Sequence, residues 1–163
     1  MKKIVKQMQK ANASEQTYVA EYSCCGIKQS SQKKITPTLC LENIRLSDGT
    51  PVADHMWFKY SRRFRKLGEL TPGDTIQFNA SAAAYRKGRL AKGGYKTDYK
   101  LVSPKQIEKV NDGVYVPLPD TTEQMVGYVL KTAHKRISSN TIKFVEKYND
   151  WVNKKNKNLK SEN

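Results

Sequence analysis

The sequence predicts an α+β protein that is mainly β, with a small five-stranded barrel followed by a helical hairpin. Three observations support this prediction. Between residues 17 and 110, β-forming residues recur in short segments in which apolar and polar residues alternate. These segments are separated by residues typical of turns, such as Gly, Pro and Asp. A three-residue apolar spacing interrupts the alternation once, near its middle. From residue 121 onward the spacing is helical and is preceded by capping residues.

The five strands are predicted from the alternation of apolar and polar side chains. Each segment is rich in β-branched or aromatic residues and is bounded by polar, Gly or Pro residues. The clearest reversal is Asp48-Gly49, a pair that turns the chain between two strands. In the third strand Trp57 and Phe58 are adjacent, so we expect them on opposite faces, with at least one in the core. The predicted strands are residues 17–26, 36–46, 52–60, 75–85 and 98–110.

Three helices are predicted where the apolar spacing changes to three or four residues. A short helix over 61–70 lies between strands 3 and 4, with Phe64 and Leu67 on its apolar side. Two C-terminal helices form a hairpin. The first begins with a capping box of Thr121 and Gln124 or, one residue earlier, of Asp120 and Glu123. This hairpin packs on the barrel or, alternatively, forms a homodimer or partner surface. The expected segments are a flexible N-terminal segment over 1–16, the barrel 17–110, a linker 111–120, the helices 121–155 and a disordered tail 156–163.

The charge balance points to an anionic partner. The chain has 30 Lys and Arg against 15 Asp and Glu, a formal net charge of +15. Such an excess repels itself in a compact protein, and a polyanion relieves that repulsion. Nucleic acid is the first candidate and an anionic membrane surface the second, while a Lys bias that only keeps the protein in solution is the plain alternative.

The cellular setting is predicted from hydropathy and cysteine count. The sequence contains no run of about 18 apolar residues, so we expect no membrane-crossing helix and no membrane partner. Cys24, Cys25 and Cys40 are odd in number and two are adjacent, which favours reduced thiols over a disulfide framework. Both features predict a cytoplasmic protein.

The excess charge is concentrated in one region of the chain. The stretch "YRKGRLAKGGYKTDYK", residues 85–100, contains six Lys or Arg, three Gly and three Tyr, with Asp98 as its one acid. Between Lys59 and Lys100 eleven basic residues stand against three acidic ones, more than half of the excess in about a quarter of the length. The glycines predict that the stretch is a loop joining strands 4 and 5.

The predicted elements follow the order three strands, a short helix and two further strands. This order resembles that of the OB-fold, a five-stranded Greek-key barrel. The segment "LTPGDTIQF" (70–78) is similar to the turn and strand common in its single-stranded nucleic-acid-binding members. The resemblance is one of layout, covers 17–110, and implies a binding face on strands 2 and 3, flanked by the loops joining strands 1–2 and 4–5. The string "DHMWF…GDTIQF…YRKG…DYKL" also looks like small uncharacterised proteins of phages and mobile elements of Gram-positive bacteria. An SH3-like or other small barrel fits the order nearly as well.

Binding a single strand without sequence preference requires cations along the backbone path and flat rings for unstacked bases. Both occur together here, since tyrosines lie among the basic residues. On the short helix we expect Arg62, Arg65 and Lys66 to face outward. They either contact phosphates or cover the end of the barrel with their stems. In the alternative interpretation the tyrosines pack on the barrel and the cations stay solvated. The predicted nucleic-acid-binding residues are Lys33, Lys34, Trp57, Lys59, Tyr60, Arg62, Arg63, Arg65, Tyr85, Arg86, Lys87, Arg89, Lys92, Tyr95, Lys96 and Tyr99.

Candidate metal-binding and catalytic groups are few. The three cysteines and His55 are residue types that bind zinc, but adjacent strand cysteines point to opposite faces and no C-x-x-C spacing occurs. Buried strand cysteines are the better interpretation, so no metal and no cofactor are predicted. His55 beside Asp54 lacks the second carboxylate of a nuclease, and no Ser-His-Asp or phosphate-binding Gly motif is present. No catalytic residue is predicted.

The predicted function is therefore a non-enzymatic nucleic-acid-binding protein that prefers single-stranded DNA or RNA. It would bind through a basic, Tyr-containing face and the loop between strands 4 and 5. The alternative is an interaction protein of a mobile element, such as an inhibitor of a host nuclease or an anti-CRISPR-like factor, that binds an acidic or nucleoprotein surface. DNA and RNA are not distinguished, because a surface for bases does not reveal whether 2′-hydroxyls are read.

Overall fold

The structure is a computed structural model that describes residues 15–162. Within that range the chain forms five strands and three helices, which confirms the predicted α+β class, mainly β. The elements are β1 (Gln16–Gln29), β2 (Ile35–Leu46), β3 (Pro51–Lys59), α1 (Arg62–Arg65), β4 (Thr75–Arg89), β5 (Tyr95–Lys109), α2 (Thr122–Thr132) and α3 (Ile142–Ser161). A flexible N-terminal segment is predicted over residues 1–16. Residues 1–14 of this segment lie outside the described residues, and β1 begins at Gln16.

The strands form one antiparallel sheet in the order β3-β2-β1-β4-β5. Among the described residues hydrogen bonding does not close this sheet, so β3 and β5 are its edges and a closed barrel is not shown. The two edges approach at one point, where the backbone N–H of Leu101 on β5 donates to Sδ of Met56 on β3 at 3.4 Å. A thioether sulfur is a weak acceptor, so this contact does not replace a strand ladder.

The described chain forms two compact units. β1, β2 and β3 contribute residues to both units, whereas β4 and β5 belong to the first and the helices to the second. The first unit contains residues 15–23, 41–56 and 71–113, and the second contains residues 24–40, 57–70 and 114–162.

The core of the first unit lies between β1 and β4. Tyr18 and Phe78 are cross-strand partners, both are fully buried, and their rings stack with centroids 5.7 Å apart. Ala20 and Ile76, two residues away on each strand, are equally buried, so the alternation that predicts these strands also identifies their buried face. Burial raises the pKa of the Tyr18 phenol to about 12, because the charged phenolate would lose its hydration there.

The turn that leads into β4 is organised by Asp74, which is buried. Its carboxylate accepts hydrogen bonds from the backbone N–H of Thr71 at 2.8 Å and the side-chain amide of Asn111 at 3.0 Å, and Lys109 Nζ lies 3.6 Å away. Its backbone carbonyl accepts from the N–H of Tyr22 at 2.8 Å. Burial raises the pKa of Asp74, but the two hydrogen bonds and the Lys109 charge outweigh it, so the pKa is held below its usual value.

Replacing Asp74 by Asn should therefore destabilise the protein in a pH-dependent way. A carboxyl whose pKa is lower in the folded state stabilises above its unfolded pKa of about 3.9, and this stabilisation is lost as pH falls through the folded value. We expect Asp74→Asn to lower the free energy of unfolding by about 1–2 kcal/mol near neutral pH, and by progressively less as the pH falls below about 3.9. Urea denaturation across this pH range measures the difference, and a constant difference would contradict the role assigned to the carboxylate.

The core of the second unit includes the paired helices α2 and α3. Val126 and Leu130 of α2 and Val145 of α3 form a buried apolar cluster. The predicted N-cap of α2 is present, because Thr121 Oγ1 accepts from the backbone N–H of Gln124 at 3.2 Å. No helix among residues 15–162 has both the length and the apolar character needed to cross a bilayer.

Two helices differ in extent from the prediction. α1 covers only Arg62–Arg65, because the chain then tightens into a turn and the N–H of Glu69 bonds the carbonyl of Val116 at 2.8 Å instead of continuing the helix over 61–70. α3 continues to Ser161, over residues where a disordered tail is predicted from 156. No Gly or Pro occurs between 142 and 161 to end the helix earlier.

Candidate nucleic-acid interface

Residues 85–100 form a β-hairpin, which corrects the prediction of a loop. β4 continues to Arg89 and β5 begins at Tyr95, with Tyr85 opposite Asp98 and Lys87 opposite Lys96. The turn is closed by the backbone of Leu90, which donates to Gly94 and accepts from Gly93, both at 3.0 Å. Gly93 and Gly94 have φ of +88° and +84°, so these glycines supply the left-handed turn and leave the flanking residues free to pair.

The only acidic residue of the hairpin lies on one of its two faces and contacts other hairpin residues there. The carboxylate of Asp98 is buried, accepts a hydrogen bond from the Tyr85 hydroxyl at 3.1 Å, and lies 3.4 Å from Lys87 Nζ. Lys100 Nζ lies over the Tyr85 ring, 5.2 Å from its centroid. Because Lys87 neutralises Asp98, this carboxylate does not offset the other cations of the hairpin.

The opposite face of the hairpin combines guanidinium groups with an exposed ring. The Arg86 guanidinium lies 5.1 Å from the centroid of the Tyr95 ring, a cation–π contact that orders both side chains. Tyr95 is 55% exposed and lies opposite Arg89, which is also exposed. Tyr99 lies on the same face and is partly exposed. This face therefore presents positive charge beside aromatic surface.

The hairpin differs from the rest of the first unit in how many of its cations are paired with an acid. Outside the hairpin each described cation of this unit has an acid nearby: Arg45 lies 3.8 Å from Glu21, Lys105 lies 2.8 Å from Glu15, and Lys109 contacts Asp74. Within the described residues no acid lies within 4.0 Å of five hairpin cations. These are Arg86, Arg89, Lys92, Lys96 and Lys100. All unpaired positive charge described in the first unit therefore lies on the hairpin.

The other eight predicted site residues lie in the second unit, where six are exposed and two, Tyr60 and Arg65, are buried. Lys33 and Lys34 lie in the turn between β1 and β2, which is closed by a 2.9 Å bond from the N–H of Ser30 to the carbonyl of Lys34. Trp57 and Lys59 are exposed on β3, and Phe58 between them is buried, as the alternation predicts. Arg62 and Arg63 are exposed on α1.

Tyr60 is buried, which corrects its predicted contact with bases. It is 1% exposed, and burial raises the pKa of its phenol well above the usual range. Trp57 and Lys59 face outward, so Phe58 and Tyr60 face inward by the two-residue period of the strand. A ring in this position is not available to stack on a base.

Arg65 is also buried, which corrects the prediction that it faces outward on a longer helix. It is 9% exposed, and its Nε and Nη1 have no hydrogen-bond partner among the described residues. Burial lowers the pKa of its guanidinium, while the negative charge of Asp120 opposes this effect. Burying a charge with unsatisfied donors is costly, and a buried guanidinium is not placed to contact a phosphate.

Replacing Arg65 by Met should therefore stabilise the protein. The methionine side chain fills a similar volume without leaving donors unsatisfied, and such replacements stabilise by about 1–3 kcal/mol. Urea denaturation of Arg65→Met, with the exposed Arg62→Met as the matched control, measures the effect. A loss of stability in Arg65→Met alone would show that the guanidinium makes a favourable interaction.

The cysteines are divided between surface and core. Cys25 and Cys40 are buried and Cys24 is exposed, and none of the three forms a disulfide, so the interpretation as buried strand cysteines holds for two of them. Residues 15–162 contain no group of three or more His, Cys, Asp and Glu side chains placed to hold a metal ion.

The structure also identifies neighbours of Trp57 that are missing from the predicted site. Lys28 on β1 and Thr36 and Thr38 on β2 line a cavity together with Trp57 and Lys59. Thr36 and Thr38 alternate with buried residues along β2, and this alternation is the signal that indicates their outward face.

Compared with protein-family models, curated proteins and solved structures, the chain has no match in any of the three.

Proposed function

We propose that the protein binds nucleic acid without catalysing a reaction, that it prefers single strands, and that the hairpin of residues 85–100 is its main contact. The supporting observation is that all unpaired positive charge described in the first unit lies on this hairpin, beside the half-exposed ring of Tyr95. When these cations neutralise phosphates, the counterions condensed on the nucleic acid are released, and this release drives binding.

The rings favour a single strand over a duplex. In a duplex the faces of the bases are already stacked on one another, whereas a single strand offers them to aromatic side chains. Tyr95 with Arg86 across its ring, and the partly exposed Tyr99, form a surface on which unstacked bases can pack. A two-stranded ribbon also fits the major groove of B-DNA, so duplex binding is the arrangement to test against.

The strand order supports an OB-like barrel as an element of the same proposal. β1 lies between β2 and β4, and β5 lies beyond β4, which is the order that an OB-like barrel has when it is opened between β3 and β5. The contact between Leu101 and Met56 brings those two edges within reach of each other. The hairpin then corresponds to the connection between strands 4 and 5 that flanks the OB binding face.

Fluorescence anisotropy with labelled single-stranded DNA, single-stranded RNA and duplex DNA of equal length tests the proposal. Five unpaired cations predict a log–log salt slope of up to about −3.5 on a single strand, which is about a 100-fold loss of affinity between 50 and 200 mM salt. Equal or tighter binding of the duplex would contradict the preference for single strands. No binding of any of the three would overturn the function and favour an acidic protein surface as the partner.

A further inference from the structure

The second unit contains a cavity of about 400 Å³ on the outward face of β1, β2 and β3. This volume is near the lower end of small-molecule sites, which range from about 300 to 1,000 Å³. Its lining residues include Phe58 and six residues that supply one indole ring, two ammonium groups and three hydroxyls. Those six are Trp57, Lys28, Lys59, Ser30, Thr36 and Thr38.

Trp57 is supported on one side and open on the other. A Cβ atom placed on Gly26 would lie 3.3 Å from Cζ3 and 3.4 Å from Cη2 of the indole, so the six-membered ring rests against the β1 backbone where Gly26 has no side chain. The indole is nevertheless 51% exposed. A large ring that is held in place and half in contact with water is suited to stacking on a flat ligand.

The two lysines give the cavity an unbalanced positive charge. Among residues 15–162 neither Lys28 nor Lys59 has an acid within 4.0 Å, and both are exposed. The hydroxyls of Thr36 and Thr38 lie between β1 and β3 on the central strand of the three. Ser30 Oγ accepts from the N–H of Lys34 at 3.2 Å, which leaves its own hydrogen to donate.

We propose that this cavity binds one nucleotide, with the base stacked on Trp57 and the phosphate held by Lys28 and Lys59. The hydroxyls of Thr36 and Thr38 then hydrogen-bond the sugar. A planar ring and an anionic group on one small molecule match the two features of the cavity, and nucleotides combine both. The inference rests on the proposed function for its ligand class, but none of its residues belongs to the hairpin.

Intrinsic fluorescence provides a direct readout, because the chain has two tryptophans. Trp151→Phe keeps a ring beside Tyr148 and leaves Trp57 as the sole reporter. Titration with adenosine 5′-monophosphate should quench Trp57 saturably, and adenosine or inorganic phosphate alone should bind at least about 10-fold more weakly, because each offers half of the interactions. Lys28→Gln with Lys59→Gln should lower the affinity by at least about 10-fold, whereas Lys135→Gln with Lys154→Gln, a matched loss of two exposed charges, should not.

The outcomes distinguish a free nucleotide from one within a strand. Saturable quenching by the monophosphate assigns the cavity to free nucleotides, and quenching by a single-stranded oligonucleotide alone assigns it to one nucleotide of a strand. Quenching by neither overturns the cavity proposal. In that case the proposed function is still supported if anisotropy shows oligonucleotide binding and if hairpin variants weaken that binding.

Discussion

Replacing Arg86, Arg89 and Lys96 together by Gln should lower the affinity for a single strand about 100-fold near 0.1 M salt, because each lost phosphate contact removes about 0.7 from the log–log salt slope. All three are exposed and, among the described residues, have no acid within 4.0 Å, so their loss should leave the fold intact. Lys87 is kept, because its removal would leave the buried carboxylate of Asp98 without its cation. Anisotropy at several salt concentrations measures both the affinity and the slope.

The control removes the same charge from another surface. Lys154, Lys157 and Lys160 are exposed on α3, so replacing them by Gln lowers the net charge by the same three units without altering the hairpin. If general attraction to a basic protein explained binding, both triple variants would lose affinity equally. A flattened salt slope in the hairpin variant alone identifies specific phosphate contacts, and equal losses would contradict the proposed site.

Alternation along the strands predicts most of the fold because it reports which face each side chain occupies. It places Trp57 and Phe58 on opposite faces with at least one in the core, and the structure buries Phe58 and exposes Trp57. It does not reveal which segments pair across the sheet. The Gly-rich segment 85–100 is therefore predicted to be a loop. In the structure, pairing between β4 and β5 makes all of it except the turn part of the two strands.

The errors at the candidate site have a related cause. Arg65 is predicted outward because an ideal helix over 61–70 would turn the apolar stripe of Phe64 and Leu67 inward and Arg65 away from it. However, α1 is a single turn, and both Phe64 and Arg65 are buried. The burial of Tyr60 follows from the same alternation that places Trp57 outward, so the sequence contained that signal. The cavity beside Trp57 depends on the side-by-side order of β1, β2 and β3, which local patterns do not specify.

Replacing Gly127 by Ala should lower the stability of the second unit, although helix propensity alone predicts a gain of about 1 kcal/mol. Gly127 is buried in α2, where a Cβ atom would collide with the carbonyl oxygen of Phe144 and come within 2.7 Å of Tyr148 Cβ on α3. The obstacle is helix backbone, which cannot rotate away as a side chain can. The two helices must therefore separate locally, which disturbs the cluster of Val126, Leu130 and Val145.

We expect a net loss of about 2 kcal/mol in Gly127→Ala, since overpacking costs about 1–3 kcal/mol or more and exceeds the gain in helix propensity. Gly113→Ala is the matched control, because its added methyl would meet only the flexible ammonium end of Lys109. Urea denaturation followed by far-ultraviolet circular dichroism reports on α2 and α3 directly. A more stable Gly127→Ala protein would show that the helices do not approach as closely as the structure places them, because only that contact reverses the sign expected from propensity.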